Sequence, residues 1–141
     1  MNRRELITKV FIGGTVIALA PDIITSCTKT DVPGGTNSNK ATVDLTDQNY
    51  SALNSAGGSA LISKYGIIIA NTGNDVFVAL DSTCTHQGCT IGYNKTSNNF
   101  PCPCHGSVFS TNGAVITGPA QQSVQSHTVT KAGNTLTIDL G

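Results

Sequence analysis

The globular part of the chain is predicted from short runs in which β-branched or other apolar residues alternate with polar ones. Turn signals rich in Gly, Asn and Asp separate these runs, which is typical of strands. The predicted strands are residues 41–45, 60–63, 66–70, 76–80, 114–117, 124–130 and 135–140, the last two joined as a hairpin through 131–134. A helical turn over residues 47–53 is expected, with Thr46 as its cap. The pattern predicts an all-β domain, an antiparallel β sandwich or barrel, with an insert between its two groups of strands.

Composition narrows the classes of function. Only 11% of the 141 residues are charged, Trp is absent, and the formal net charge is zero. Without the first 26 residues, five Lys stand against six Asp, a net charge of −1. This profile is typical of an exported β-rich protein, and with no basic patch we expect no nucleic-acid partner.

The insert concentrates the residues that can bind a metal. Six of the chain's eight Cys and His residues fall between Cys84 and His105. They form two boxes, CTHQGC at 84–89 and CPCH at 102–105, and each box offers a Cys and a His. Thiolate and imidazole together are the ligand set of zinc, copper and iron-sulfur sites.

Two Cys and two His could hold one tetrahedral zinc ion or a two-iron, two-sulfur cluster. Structural zinc loops usually space their ligands by two to four residues. The single residue between Cys84 and His86 instead favours side chains that reach two different irons, although zinc stays open as an alternative. No Ser-His-Asp set, carboxylate pair or phosphate-binding loop is found elsewhere, so no substrate-converting site is predicted.

The segments CTHQGC (84–89) and CPCHGS (102–107) resemble the Rieske iron-sulfur proteins, in the disulfide-bearing branch of cytochrome bc-type complexes. The resemblance extends over residues 41–141, with cluster-binding loops at about 82–120 inserted in a Rieske-like fold. It implies a Rieske 2Fe-2S cluster with Cys84 and Cys102 on the buried iron, His86 and His105 on the outer iron, and a disulfide between Cys89 and Cys104.

The same resemblance implies roles for residues around the cluster. Gly118 and Pro119 would belong to a proline loop that covers it, and the Ser107 hydroxyl would donate to a cluster sulfide. Phe109 stands where the family carries a Tyr that bonds a Cys ligand, and Gln87 where quinol-oxidising members carry Leu. His127, in a strand-like stretch away from the boxes, is predicted not to be a ligand.

Residues 1–26 are predicted to be a signal peptide. Arg3 and Arg4 precede an apolar segment at 10–20, which is too short to span a bilayer. The start resembles a twin-arginine export signal, except that Leu6 replaces the usual Phe; an ordinary secretory signal is the alternative.

Residues 24–27 resemble a lipobox, which predicts lipidation of Cys27. The boxes account for the other four cysteines, so Cys27 is the odd one. Residues 27–40 have almost nothing to bury and are predicted to be a flexible tether. We therefore expect an exported lipoprotein, anchored to a bacterial membrane and facing the periplasm or the cell surface.

The predicted function is electron transfer through the cluster, with a cytochrome or an oxidoreductase subunit as redox partner. The chain would act alone as a carrier or as the Rieske subunit of a larger oxidoreductase, of the quinol:cytochrome c or arsenite-oxidase type.

Overall fold

A computed structural model describes residues 39–141 of the chain. The predicted signal peptide 1–26, the predicted lipidation site Cys27 and nearly all of the predicted tether 27–40 lie outside these residues. Within the described range, no helix has the length and hydropathy needed to cross a membrane.

Nine strands and one short helix make up the described part of the chain. In order, the strands are β1 (Lys40–Asp44), β2 (Ser59–Ile62), β3 (Ile67–Gly73), β4 (Val76–Asp81), β5 (Phe100–Pro101), β6 (Val108–Phe109), β7 (Val115–Thr117), β8 (Ser126–Ala132) and β9 (Thr135–Asp139). Six form an antiparallel sheet in the order β1-β9-β8-β4-β3-β2, and β5-β6-β7 form a small second sheet. The predicted all-β class is confirmed, and each predicted strand is present with ends shifted by at most a few residues. β5 and β6 were not predicted.

The strands β3 and β4 bury side chains on both faces of the sheet. Successive residues of a strand face opposite sides of the sheet. Ile67, Ile69 and Ala79 therefore face one core, which β1 and β9 complete. Ile68 and Leu80 face a second core, which lies under the Cys and His loops.

We call the first of these the body core. β1 and β9 supply it with every second residue, and their pairing sets Ala41 opposite Ile138 and Val43 opposite Leu136. All four of these side chains are at most 1% exposed. Apolar and polar residues thus alternate along β1 and β9 because each strand has one buried and one exposed face.

We call the second the loop core. The strands contribute Ile68, Ala70 and Leu80 to it, and the remaining buried members come from residues 84–124: Cys84, Ile91, Phe100, Cys102, Phe109, Ala120 and Val124. The insert is therefore anchored by its own apolar side chains on one face of the β3-β4 hairpin.

The short helix differs from the prediction in type and cap. It is a 3-10 helix over Gln48–Asn54, and its N-cap is Asp47, whose side chain accepts a hydrogen bond from the Asn49 N–H. Thr46 is not the cap, because both its N–H and its hydroxyl donate to Asp44 Oδ1. The Asp44 carboxylate at the end of β1 thus accepts both hydrogen bonds from Thr46, the residue predicted to be the cap.

Candidate metal centre

The first Cys-His loop follows directly from β4 and is closed by its own backbone. The Cys84 N–H donates to the Cys89 carbonyl at 2.7 Å, and the Gly88 N–H donates back to the Cys84 carbonyl at 2.9 Å. Gly88 has φ of 77°, a left-handed conformation that a side chain would disfavour. The glycine in this box is therefore required by the turn that brings Cys89 back beside Cys84.

The second loop, between β5 and β6, repeats this arrangement. The Cys102 N–H donates to the Ser107 carbonyl at 2.7 Å, and the Gly106 N–H donates to the Cys102 carbonyl at 3.1 Å. Gly106 has φ of 80°. Cys102 is thus the counterpart of Cys84, while the counterpart of Cys89 is Ser107.

The two free thiols of the described residues lie on the inner side of these loops. Cys84 and Cys102 are 2% and 3% exposed. Burial raises the pKa of the Cys84 thiol, but hydrogen bonds from the His86 N–H, the Cys102 thiol, the Gln87 N–H and the Ser107 hydroxyl outweigh it. The net result is a pKa of Cys84 below its ordinary value. An environment that favours thiolate is what a metal-binding cysteine needs.

The two imidazoles of the boxes meet on the outer side. The ring centroids of His86 and His105 are 4.8 Å apart, with an interplanar angle of 82°. His105 is exposed and His86 is half-buried. Each loop therefore presents one sulfur inward and one imidazole outward.

A disulfide joins Cys89 of the first loop to Cys104 of the second. The sulfur atoms of Cys89, Cys102 and Cys104 lie within 4.8 Å of one another. This trio is not a metal-binding set, because two of its sulfurs are bonded to each other and neither is a free thiolate. The predicted pairing is present, and it holds the two loops together at their outer ends.

Residues 118–123, which we call the proline loop, pack over both Cys-His loops. The buried Ser107 hydroxyl accepts a hydrogen bond from the Ala120 N–H at 2.9 Å. Across the other loop, the Thr85 hydroxyl donates to the Gln122 carbonyl at 2.5 Å. Each Cys-His loop thus fastens the proline loop by one side-chain hydrogen bond, and the Thr85 bond was not expected from the sequence.

A polar cleft opens beside His86. The predicted Gly118 and Pro119 are exposed in the proline loop and are joined by a cis peptide bond. The cleft has a volume of about 450 Å³ and is lined by Thr85, His86, Pro119, Gln121 and Gln122.

Phe109 lies in the same buried cluster as the two thiols. It is fully buried, belongs to the loop core with both free cysteines, and pairs across the small sheet with Phe100. The residue that replaces the family's Tyr is therefore in the interior of the site, not on its surface.

His127 lies outside the two loops, on β8. Its Nε2 is 2.8 Å from Asp81 Oδ1, and its side chain is only 6% exposed. The pair spans the β4-β8 junction, where Ala79 lies opposite His127. A partly exposed carboxylate on the neighbouring strand is thus the partner of this histidine.

The donor atoms fit a Rieske-type cluster: two adjacent buried thiols and two adjacent outer imidazoles, one of each from either loop. A single zinc ion would use the same residue types, so donor chemistry alone leaves both possibilities.

Comparison with known proteins separates these possibilities. The sequence profile of the family described as Rieske [2Fe-2S] domain matches residues 23–128. The cytochrome b6-f complex iron-sulfur subunit of Synechococcus sp. (strain JA-3-3Ab) is 40% identical over 67 residues, covering 48% of this chain and 39% of that protein. The subunit of the same description from Prochlorococcus marinus (strain AS9601) is 35% identical over 85 residues, covering 57% and 48%. The chain thus spans less than half the length of these curated relatives.

A solved structure is similar over almost its full length. The cyanobacterial plasma membrane Rieske protein PetC3 from Synechocystis PCC 6803 aligns with a TM-score of 0.56 and 27% identity, over 70% of this chain and 98% of that one. A chain from the complex of reduced oxygenase and oxidized ferredoxin in carbazole 1,9a-dioxygenase aligns at 19% identity and a TM-score of 0.59, over 73% of this chain and 94% of that one, and supports the fold alone. Because the family profile covers more than half of the sequence, the chain belongs to the Rieske [2Fe-2S] domain family, and the cofactor of its domain is a Rieske-type 2Fe-2S cluster that serves electron transfer.

Proposed function

We propose that this chain is a one-electron carrier in which Cys84 and Cys102 bind the buried iron, and His86 and His105 bind the outer iron. The proposal rests on the arrangement of these four side chains in two layers, with the thiols inside and the imidazoles outside. Both thiols are buried in the loop core, and the two imidazoles contact each other on the outer side. Two cysteines thus face the protein interior and two histidines face a partner.

The ligand set fixes the kind of electron chemistry. Two ferric ions, two sulfides and two thiolates sum to zero charge, whereas four thiolates would leave a charge of minus two. A cluster with two imidazole ligands therefore supplies a one-electron couple at high potential, about −150 to +300 mV.

The remaining residues of the site protect and shape it. The proline loop, fastened by Thr85 and Ser107, shields the inner side from water. The Cys89–Cys104 disulfide keeps the two loops together without occupying a ligand position. The imidazole edges of His86 and His105 are the exposed part of the ligand set, so they are the exit for the electron.

A second candidate function is that of a subunit in a larger oxidoreductase. Curated relatives are subunits of cytochrome b6-f complexes, which supports this alternative. Gln87 is exposed beside His86, where quinol-oxidising members of the family carry Leu. Its polar amide makes the surface around His86 less suited to direct contact with a quinol. A redox partner protein is common to both candidates.

The proposed location is the outer side of a bacterial membrane. Similarity to a plasma membrane Rieske protein supports membrane association. Export by the signal at 1–26 and lipidation of Cys27 would supply the anchor, and the tether 27–40 would set the distance of the domain from the membrane.

The ligand assignment is tested by alanine substitution of each histidine in turn. His86→Ala or His105→Ala removes one of only two protein ligands to an iron, so each should abolish the rhombic electron paramagnetic resonance signal of the reduced cluster. His127→Ala is the matched control and should retain the signal, because His127 bonds Asp81 outside the loops. Loss of the signal in His127→Ala together with its retention in His105→Ala would overturn the assignment.

A further inference from the structure

The end of the domain that carries the histidines has no Asp, Glu, Lys or Arg side chain, so its charge is that of the cluster, zero when oxidised and minus one when reduced. We define the tip as residues 86–88, 103–106 and 118–123, which are exposed or half-buried apart from Ala120. Between Asp81 and Lys131, the sequence contains a single Asp, Glu, Lys or Arg residue, which is Lys95. The surface around the electron exit is therefore built from Gly, Pro, Gln, Ser and the disulfide.

The charges that border this stretch are engaged elsewhere. Asp81 is paired with His127 at 2.8 Å, and the Lys131 ammonium is 2.9 Å from Asp75. Lys95 packs its stem against the turn at Gly57, next to β2, and belongs to none of the tip segments.

One further cation approaches the base of the first loop. The β2-β3 turn contains Lys64, and its Gly66 carbonyl accepts hydrogen bonds from Ser82. The Lys64 ammonium lies over the Tyr65 ring, 5.0 Å from its centroid. It is thus held at the turn and is not part of the tip.

The tip instead offers amide groups. Exposed Gln87 follows His86, and Gln121 and Gln122 line the polar cleft next to that imidazole. Each amide carries both donors and an acceptor, so these residues can pair with polar groups of a partner by short-range hydrogen bonds while adding no charge of their own.

We propose that the redox partner is a protein whose electron-entry patch is uncharged and polar, and that it docks over His86 and the glutamines of the cleft. This inference rests on the proposed electron-transfer function. Association then proceeds without electrostatic steering, in contrast to charge-complementary pairs, whose association rates rise by about 10 to 1,000-fold and fall with salt.

The test uses the purified holoprotein, reduced and mixed with salt-washed membranes from cells that lack this chain and contain its native acceptor. We expect the rate constant for oxidation to change by less than about twofold between low and high ionic strength. A tenfold or larger fall or rise with salt would overturn the proposal.

Charge variants of one tip residue identify the nature of the partner's patch. Against an uncharged patch, Gln122→Glu and Gln122→Lys both bury an unpaired charge, so both should slow the reaction by about fivefold or more. Against a charged patch, one variant would speed the reaction and the other would slow it, which would refute an uncharged partner. Gln48→Glu and Gln48→Lys, exposed on the 3-10 helix, are the matched controls and should react like the unmodified protein.

Failure of the proposed function would be recognised separately. In that case the unmodified holoprotein would show no cluster signal, or its reduced form would not be oxidised by the membranes at any salt concentration. If the holoprotein is oxidised by the membranes but Gln122→Glu and Gln122→Lys change the rate in opposite directions, the electron-transfer function stands and the uncharged partner patch is refuted.

Discussion

The Ser107 hydroxyl has two partners at the centre of the site. It accepts a hydrogen bond from the Ala120 N–H at 2.9 Å, and it lowers the pKa of the Cys84 thiol, so it is expected to donate to that sulfur. Ser107→Ala removes both interactions. The Cys102 N–H bond that closes the second loop goes to the Ser107 carbonyl and is therefore kept.

The expected effect on the midpoint potential follows from the bond to sulfur. A hydrogen bond to a charged group contributes roughly 1.5 to 3 kcal/mol. It exists in both oxidation states, but the sulfur is more negative after reduction, so about a third of this energy is differential. The result is on the order of 1 kcal/mol, or about 40 mV for one electron. Ser107→Ala should lower the potential by that amount, because the reduced state loses more stabilisation.

The second lost bond affects stability. The Ala120 N–H would be left in the loop core without its partner, which costs about 1 to 3 kcal/mol of unfolding free energy. Chemical denaturation of the holoprotein, followed by the visible absorption of the cluster, measures this loss.

Thr85→Val is the matched control for these two effects. It removes the other hydrogen bond to the proline loop, from the Thr85 hydroxyl to the Gln122 carbonyl, and Thr85 is not among the groups that bond the Cys84 sulfur. Redox titration at one pH should therefore show a much smaller shift for Thr85→Val than for Ser107→Ala. An unchanged or higher potential in Ser107→Ala would refute the reasoning.

Three further substitutions test other parts of the account. Cys89→Ser opens a loop of 15 residues and should lower the unfolding free energy by about 3 kcal/mol while the cluster still assembles; complete cluster loss in anaerobic protein would argue that Cys89 is a ligand. Phe109→Tyr should raise the midpoint potential by about 40 mV, because a phenol at this buried ring would reach a cysteine sulfur, and a lower potential in redox titration would contradict this. Cys27→Ala should move the protein from the membrane to the soluble fraction on cell fractionation, since the lipid is the proposed anchor; an unchanged membrane fraction would point to another attachment.

The sequence predicted the strands of the large sheet because each is a run of four or more residues that are β-branched or alternate between apolar and polar. β1 and β9 are the clearest case, with one buried and one exposed face. β5 and β6 were missed because each has two residues, which is too short to show a period. They form only because the second Cys-His loop brings Phe100 opposite Phe109.

The residues proposed as donors were also found in the sequence, because the two boxes and the family resemblance that they carry are local properties. What the sequence did not reveal depends on contacts between distant segments. The bond from Thr85 to Gln122 joins residues 37 positions apart, and the pair of Asp81 and His127 joins residues 46 apart. Such long-range hydrogen bonds depend on how the strands and loops pack, and a local sequence pattern does not predict that packing.

Two histidines and two cysteines of these loops are proposed to bind the cluster. Nitrogen electron-nuclear double resonance of the reduced holoprotein tests it most directly, because it detects nitrogen nuclei bonded to the paramagnetic cluster. Two strongly coupled histidine nitrogens are predicted, with one of them lost in His86→Cys or His105→Cys, where a thiolate can replace the imidazole as a ligand. A cluster without coupled histidine nitrogens, or two such couplings that persist when both His86 and His105 are replaced, would contradict the account.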